Sequence, residues 1–463
     1  MAKVKKPTPK PRKKKVETLS IINPHAAGID IGDTIHAVAV SPASSEEPVR
    51  IFGTMTCDLS AISDWLKECE VDTIAMESTG VYWKPLFSHL VRKGFEVFLV
   101  NARNVKNVSG RKTDESDAAW LQKLHSCGLL SSSYLPGDEQ EALRTLVRFR
   151  KVLVSDSSRF ILRMQKSMEL MNIKLHTVIS DITGRTGTAI VEAILAGERN
   201  AEAFLPLVNK RIKADKETIV KSLEGTWRTE HLFTLAQSYE LYCYYKARIE
   251  ACDKQIEQHL LSYEAQQNDG EVKTDNDVKT GNKDKAAKPK KKQKNSPRYN
   301  VRDYLRYILK TDVLAIYGMS DVSGLQILAE TGTDMSKWPT EKHFVSWLNL
   351  CPNNKLSGGK LISSHVMRGC PSITGQAFRA AANSLQHSDN WLGDYFRRMR
   401  AKGGHKYAIV ATANKIATIY YKMVRSGTEF NPPNLEEYQN KRKEQKIKYL
   451  ERQLQKLRTE GDC

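Results

Sequence analysis

The sequence predicts an α/β domain at its N-terminal end, a pair of long helices after it, and a mostly α-helical C-terminal domain. Three observations carry this. Over residues 20–135 short apolar runs alternate with amphipathic stretches, the pattern of strands covered by helices. Over 136–264 the windows at helical spacing become long, with few turn signals. Residues 265–300 are polar, lysine-rich and nearly devoid of large apolar side chains, a composition that cannot bury enough surface to order itself. They read as a disordered linker before a compact helical domain at 301–432. A basic disordered tail, 1–19, opens the chain, and an exposed basic helix, 433–463, closes it.

Each element has a local reason. "AAGIDIGDTIHAVAV" and "VRIFGTMTC" read as two strands joined by a short connection. "LSAISDWLKECE" is a helix with Leu59, Ile62, Trp65 and Leu66 on one side. "DTIAMES" is a short apolar strand, and "VYWKPLFSHLVRKG" a helix stopped by Gly94. "FEVFLVN" is a further buried strand, and "TDESDAAWLQKLHSCG" a helix that Thr113 can cap. The sheet is of mixed type. In the long-helix region, Phe160, Met164, Met168 and Met171 recur at helical spacing as packing residues. A second stripe, Leu241, Tyr245, Ile249, Cys252, Ile256 and Leu260, suits a coiled-coil seam. It is expected to mediate self-association.

The chain has 463 residues, 72 Lys and Arg against 53 Asp and Glu, and a formal net charge of +19. Such an excess selects a polyanionic partner, nucleic acid or an acidic membrane surface. No apolar run is long enough to span a bilayer. The basic start, "MAKVKKPTPKPRKKKVE", is not followed by the apolar core of a signal peptide. The eight cysteines form no C-x-x-C pair and the eleven histidines show no metal-ligand spacing. Cys57, Cys69, Cys127 and Cys351 lie in or beside apolar runs, as reduced core residues of a cytosolic protein do.

Four carboxylates stand where catalysis can use them. Asp30 sits in the first strand and Glu77 at the end of a later one. Asp114 and Asp117 open a helix three residues apart, on one face. A carboxylate in a buried strand needs a reason. A divalent cation with oxygen ligands, Mg²⁺ in kind, supplies one. Taken singly, each acid also admits an ordinary reading: a turn, a strand end, or a helix N-terminus that favours negative charge. The order strand, strand, helix is the one used by ribonuclease-H-like nucleases.

Two further features admit two readings. In "NNKLSGGKLISSH", Ser357 precedes two glycines and is flanked by Lys355 and Lys360. The string suits a plain Ser-Gly-Gly turn, or a hydroxyl on pliable backbone brought close to phosphate. Arg144, Arg148, Arg150, Arg159 and Arg163 crowd one long helix that has few acids. They form either a solvated face or one that tracks phosphates.

Taken together, several stretches resemble the DEDD-type transposases of bacterial insertion sequences, which are serine-using recombinases guided by a bridge RNA. They are "GIDIGDTIHAVAV", "AMESTGVYWKPLF", "NARNVKNVSGRKTDESDAAWLQKLHSCGLL", "LRTLVRFRKVLV", "GTDMSKWPTEKHFVSWLNLCPNNKLSGGKLISS" and "LGDYFRRMRAKGGHKYAIVATANKIATIYYKMV". The resemblance implies a ribonuclease-H-like (RuvC-like) catalytic domain at 20–135, similar to Holliday-junction resolvases. It implies Asp30, Glu77, Asp114 and Asp117 as the Mg²⁺-binding acids, and Ser357 as the nucleophile that joins DNA. It matches Arg379 to an arginine that family members usually carry; Lys355, Lys360 and the helix arginines are expected on nucleic acid from their charge. The implied partners are donor and target DNA, a structured bridge RNA, and further copies, as a homodimer assembling to a tetramer in the bacterial cytoplasm, at the nucleoid and off the membrane. Two other readings stay open: a metal-dependent nuclease or junction resolvase without serine chemistry, and a nucleic-acid-binding structural protein with vestigial acids.

Overall fold

The computed structural model describes residues 20–78, 80–101, 114–267, 294–366 and 372–461. The tail at 1–19 and the Thr113 cap lie outside these residues, as does most of the linker. The chain divides into two compact units, 1–135 and 136–463.

The first unit is a five-stranded mixed sheet in the order β3-β2-β1-β4-β5. Its strands are β1 (Ala26–Ile31), β2 (His36–Ala39), β3 (Val49–Phe52), β4 (Thr73–Glu77) and β5 (Glu96–Val100). β1 to β3 form an antiparallel meander, and β4 and β5 run parallel to β1. This arrangement is consistent with a ribonuclease-H-like fold. The stretch expected as one strand, "AAGIDIGDTIHAVAV", is two. Gly32 N–H donates to Ile35 carbonyl oxygen at 2.9 Å and turns the chain back on itself. Likewise "VRIFGTMTC" stops being strand at Phe52, because Met55 already caps the next helix.

Alternation along the strands sorts the two faces. Ala27, Ile29, Ile31, Ile74, Met76 and Leu99 bury against α1 (Thr56–Glu68) and α2 (Trp83–Arg92). The expected stripe on α1 is buried as read, and Gly94 ends the turn after α2 with φ +93°. On the opposite face Ala37, Ala39 and Ala75 meet Ala118 and Leu121 of α3 (Asp114–Ser126). That face is built of small residues, so the helix comes close. At Gly28 a Cβ would lie 2.2 Å from the Gln122 backbone nitrogen, so glycine is required there.

Two histidines are buried in this unit, His36 at 2% and His125 at 1% exposure. His125 Nε2 shares a hydrogen bond of 2.8 Å with Thr73 Oγ1. Burial holds both imidazoles below their usual range, more than the Ile35 backbone bond and Asp58 at His36, or Asp72 at His125, raise them. The unfolded chain takes up these protons near pH 6.5 and the folded one does not, so stability falls as pH drops below that value. We expect the thermal midpoint of the first unit to decline from pH 7.5 to 5.5 by circular dichroism. Each histidine contributes at most about 1.4 kcal/mol per pH unit. A flat profile would reject a neutral pair.

The second unit is helical. α4 (Asp138–Leu170) pairs along its length with α8 (Thr229–Gln267). Between them α5 (Leu175–Val178), α6 (Arg185–Leu195), a 3₁₀ segment (Ala201–Leu207) and α7 (Lys216–Leu223) form a cap with its own core. Met164, Met168 and Met171 pack in that core with Ile190, Ile194 and Phe204, as the packing reading expected. The other ends of α4 and α8 merge with the C-terminal helices. These are α9 (Val301–Leu309), α10 (Asp321–Thr331), α11 (Glu341–Trp347), α12 (Ile373–Asn383), α13 (Trp391–Ser426) and α14 (Leu435–Gly461). α13 is broken at Gly403 and Gly404, the latter with φ +81°.

Three expectations change here. The seam on α8 is spent within the chain: Cys252, Ile256 and Leu260 are buried with Leu143, Val147, Leu305 and Leu309. Leu241 alone of that stripe stays largely exposed, at 40%. Ile256→Ala should therefore lower the unfolding free energy of this unit by about 2–5 kcal/mol, read as a shifted urea midpoint, with unchanged mass by light scattering. A halved mass would restore the seam as an interface between copies. Part of the expected linker is also ordered. Tyr299 is buried, with its ring edge-on to Tyr304 at 5.8 Å. Finally, Cys57 is exposed, since it lies on the outward side of α1.

Candidate active site

Two of the four candidate carboxylates, Asp30 and Glu77, come from strand ends. β1 and β4 pair in register through Ile29 and Met76. Asp30 and Glu77 follow those two residues, so they sit side by side on the face covered by α3. Both are half-buried. The tight seat of α3 on Gly28 brings the start of that helix to the same end of the sheet. Asp117 precedes buried Ala118 and is itself exposed. Asp114 is the first residue of α3, and its side chain lies outside those described. Two oxygen donors on neighbouring strands fit a hard divalent cation in kind. Among the described residues no group of three His, Cys, Asp or Glu side chains converges to hold one. The fold thus places Asp30 and Glu77 on adjacent strands, while Asp117 of α3 is exposed.

The serine lies on an element that the sequence reading did not resolve. β6 (Asn353–Ser357) and β7 (Lys360–His365) form an antiparallel hairpin within the helical domain. Gly358 and Gly359 make the two-residue turn, with φ +54° and +75°. Both central positions of this turn type need the left-handed region, which is why two glycines stand there. A Cβ at either would meet nothing within 4 Å, so the tip stands clear of its own unit. Ser357 is exposed and lies directly across from Lys360, with Lys355 two residues back on the same face. The hairpin is the Ser-Gly-Gly turn, and it leaves Ser357 exposed beside it.

Its root is held firmly. Arg379 of α12 donates to the Asn349 carbonyl oxygen at 2.7 Å. Asn414 of α13 donates to the Leu350 carbonyl oxygen at 3.1 Å. Burial pulls the Arg379 guanidinium below its usual range, and its Nε is buried without a hydrogen-bond partner. Arg379 thus stands at the hairpin's base, not on an open surface. No local motif marks Asn414, whose partner lies 64 positions away.

The arginine face narrows in the same way. Arg150 is 5% exposed, paired with Asp253 of α8 and donating to the Asn295 carbonyl oxygen at 3.0 Å. Arg144 and Arg148 both pair with buried Glu330 of α10, at 2.9 and 2.7 Å. These acids arrive from distant helices, so the composition of α4 alone could not reveal them. Arg159 and Arg163 remain exposed, the first beside Asp156 at 3.2 Å and the second over the Phe160 ring. Among the described residues no helix is long and apolar enough to cross a membrane.

Two family models and one curated relative match parts of this chain. A DEDD-type transposase model, described as "Transposase", matches residues 27–173, which contain Asp30, Glu77, Asp114 and Asp117. A second, described as "Transposase IS116/IS110/IS902 family", matches residues 311–397, which contain the hairpin, Ser357 and Arg379. Among curated proteins, the "Insertion element IS110 uncharacterized 43.6 kDa protein" of Streptomyces coelicolor is 29% identical over 103 residues. That alignment covers 22% of this chain and 25% of the relative, so the chain spans about a quarter of that relative's length. The strand-end acids and the serine hairpin fall in separate matched segments of one kind of protein, and the chain belongs to the IS110-type family of transposases.

Proposed function

We propose that this transposase cuts and rejoins DNA through a covalent serine–DNA intermediate, with its specificity carried by a bound structured RNA. The observation that carries the reading is Ser357, exposed at a glycine tip, opposite Lys360 and within a transposase-matched segment. The Ser357 Oγ attacks a backbone phosphate, so one P–O bond forms as one breaks, and the leaving oxygen takes a proton. The ester retains the energy of the broken bond. A hydroxyl of another strand reverses the step and reseals DNA without a nucleotide cofactor. A serine hydroxyl needs activation at neutral pH. Lys355 and Lys360 place positive charge beside the developing phosphorane. Asp30, Glu77, Asp114 and Asp117 would hold Mg²⁺, which supplies positive charge to the oxygens of an in-line displacement.

The RNA and the assembly of dimers into a tetramer rest on the family resemblance, and the net charge of +19 supports a polyanionic partner. Arg159 and Arg163 are the exposed members of the arginine run for that role. The test is a denaturing gel of the protein incubated with element-end DNA, Mg²⁺ and the RNA that copurifies with it. A protein–DNA adduct that survives denaturation supports the serine route. Metal-dependent cutting without an adduct would replace it with a plain nuclease, in which water attacks.

A further inference from the structure

The last helix changes character along its length. The first turns of α14 belong to the second unit. Tyr438 lies against the Trp391 ring at 5.6 Å, and Arg442 pairs with Asp394 at 3.2 Å. From Lys443 to Gln455 every residue is exposed. Within that stretch Ile447, Leu450 and Leu454 are 53%, 49% and 57% exposed. Their spacing is three then four, and Leu457 continues it in the sequence. This is the a/d repeat of a coiled coil, on a helix whose other positions are mostly charged.

The flanking charges say what covers it. With Ile447 at a, Lys446 takes position g and Glu451 position e. When two such helices run parallel in register, g of one faces the following e of the other. Lys446 then meets Glu451 of the other helix, twice by symmetry. The next such pair, Gln453 with Arg458, carries no like charge. Lys443 occupies the preceding d position and closes the seam just beyond the Arg442 pairing with Asp394.

We propose that α14 beyond Arg442 pairs in parallel with the same helix of a second copy of this chain. Two heptads are short for a coiled coil standing alone. The seam therefore acts on copies already held near one another, where a high effective concentration multiplies a weak contact. This does not depend on the chemistry of Ser357.

The test is disulfide trapping in the full-length chain under mild oxidation. Leu450→Cys, at a d position, should give a reducible dimer several-fold above wild type and above Lys448→Cys on the outer face. Adding Lys446→Glu to Leu450→Cys should reduce the yield several-fold, and adding Glu451→Lys as well should restore it. Leu450→Cys no better than Lys448→Cys would overturn the proposal. So would trapping that appears only when Ile447→Cys is mixed with Leu457→Cys, since that marks antiparallel helices, or a yield indifferent to the charge reversal.

Discussion

Ser357→Ala is expected to abolish both strand cleavage and the covalent adduct while nucleic-acid binding persists. The expected loss is on the order of 10⁶-fold, the scale of removing a serine nucleophile. The hydroxyl sits at an exposed hairpin tip with open space around both glycines, so its removal leaves stability within about ±0.5 kcal/mol. Loss of activity without loss of fold is the diagnostic combination. Ser357→Cys retains a trace of adduct, because a thiolate is itself a nucleophile. The hairpin supplies its own controls. Ser363 lies across from Lys355 and Ser364 across from Asn354, both away from the glycine turn. If Ser357→Ala still forms the adduct and Ser363→Ala or Ser364→Ala does not, the nucleophile is the other hydroxyl. If none of the three matters, metal-activated water does the cutting.

The second large effect belongs to the strand ends. If the acids hold Mg²⁺ as proposed, Asp30→Asn or Glu77→Gln is expected to lower Mg²⁺-dependent cleavage by at least about 10²- to 10³-fold, the scale of removing one electrostatic stabiliser from a transition state. Each substitution keeps the shape of the side chain and removes one negative donor. The two positions follow the paired Ile29 and Met76 on adjacent parallel strands and are half-buried. Full cleavage by either variant in Mg²⁺ would remove these residues from the metal site. Asp117→Asn separates the roles further: its exposure predicts a smaller loss than at half-buried Asp30.

Much of this molecule was legible from local pattern. The apolar stripe of α1, the short strand "TIAME", the stop at Gly94 and the methionine packing on α4 each depend on neighbours within a few positions. The acids and the serine could be singled out because a carboxylate in a strand and a hydroxyl before two glycines are locally odd. Periodicity could not say what a given face meets. The stripe Cys252, Ile256 and Leu260 has the same spacing whether it packs on its own chain or on a copy, and the fold chose its own chain. The arginines of α4 looked unpaired because Asp253 and Glu330 lie 103 and 182 positions away. The hairpin hid in a helical domain because β6 is exposed at all five positions and carries no buried alternation. The sequence by itself determined the kinds of residue and their family; tertiary structure alone decided their partners, because pairing across long separations is set by packing and charge compensation rather than by local spacing.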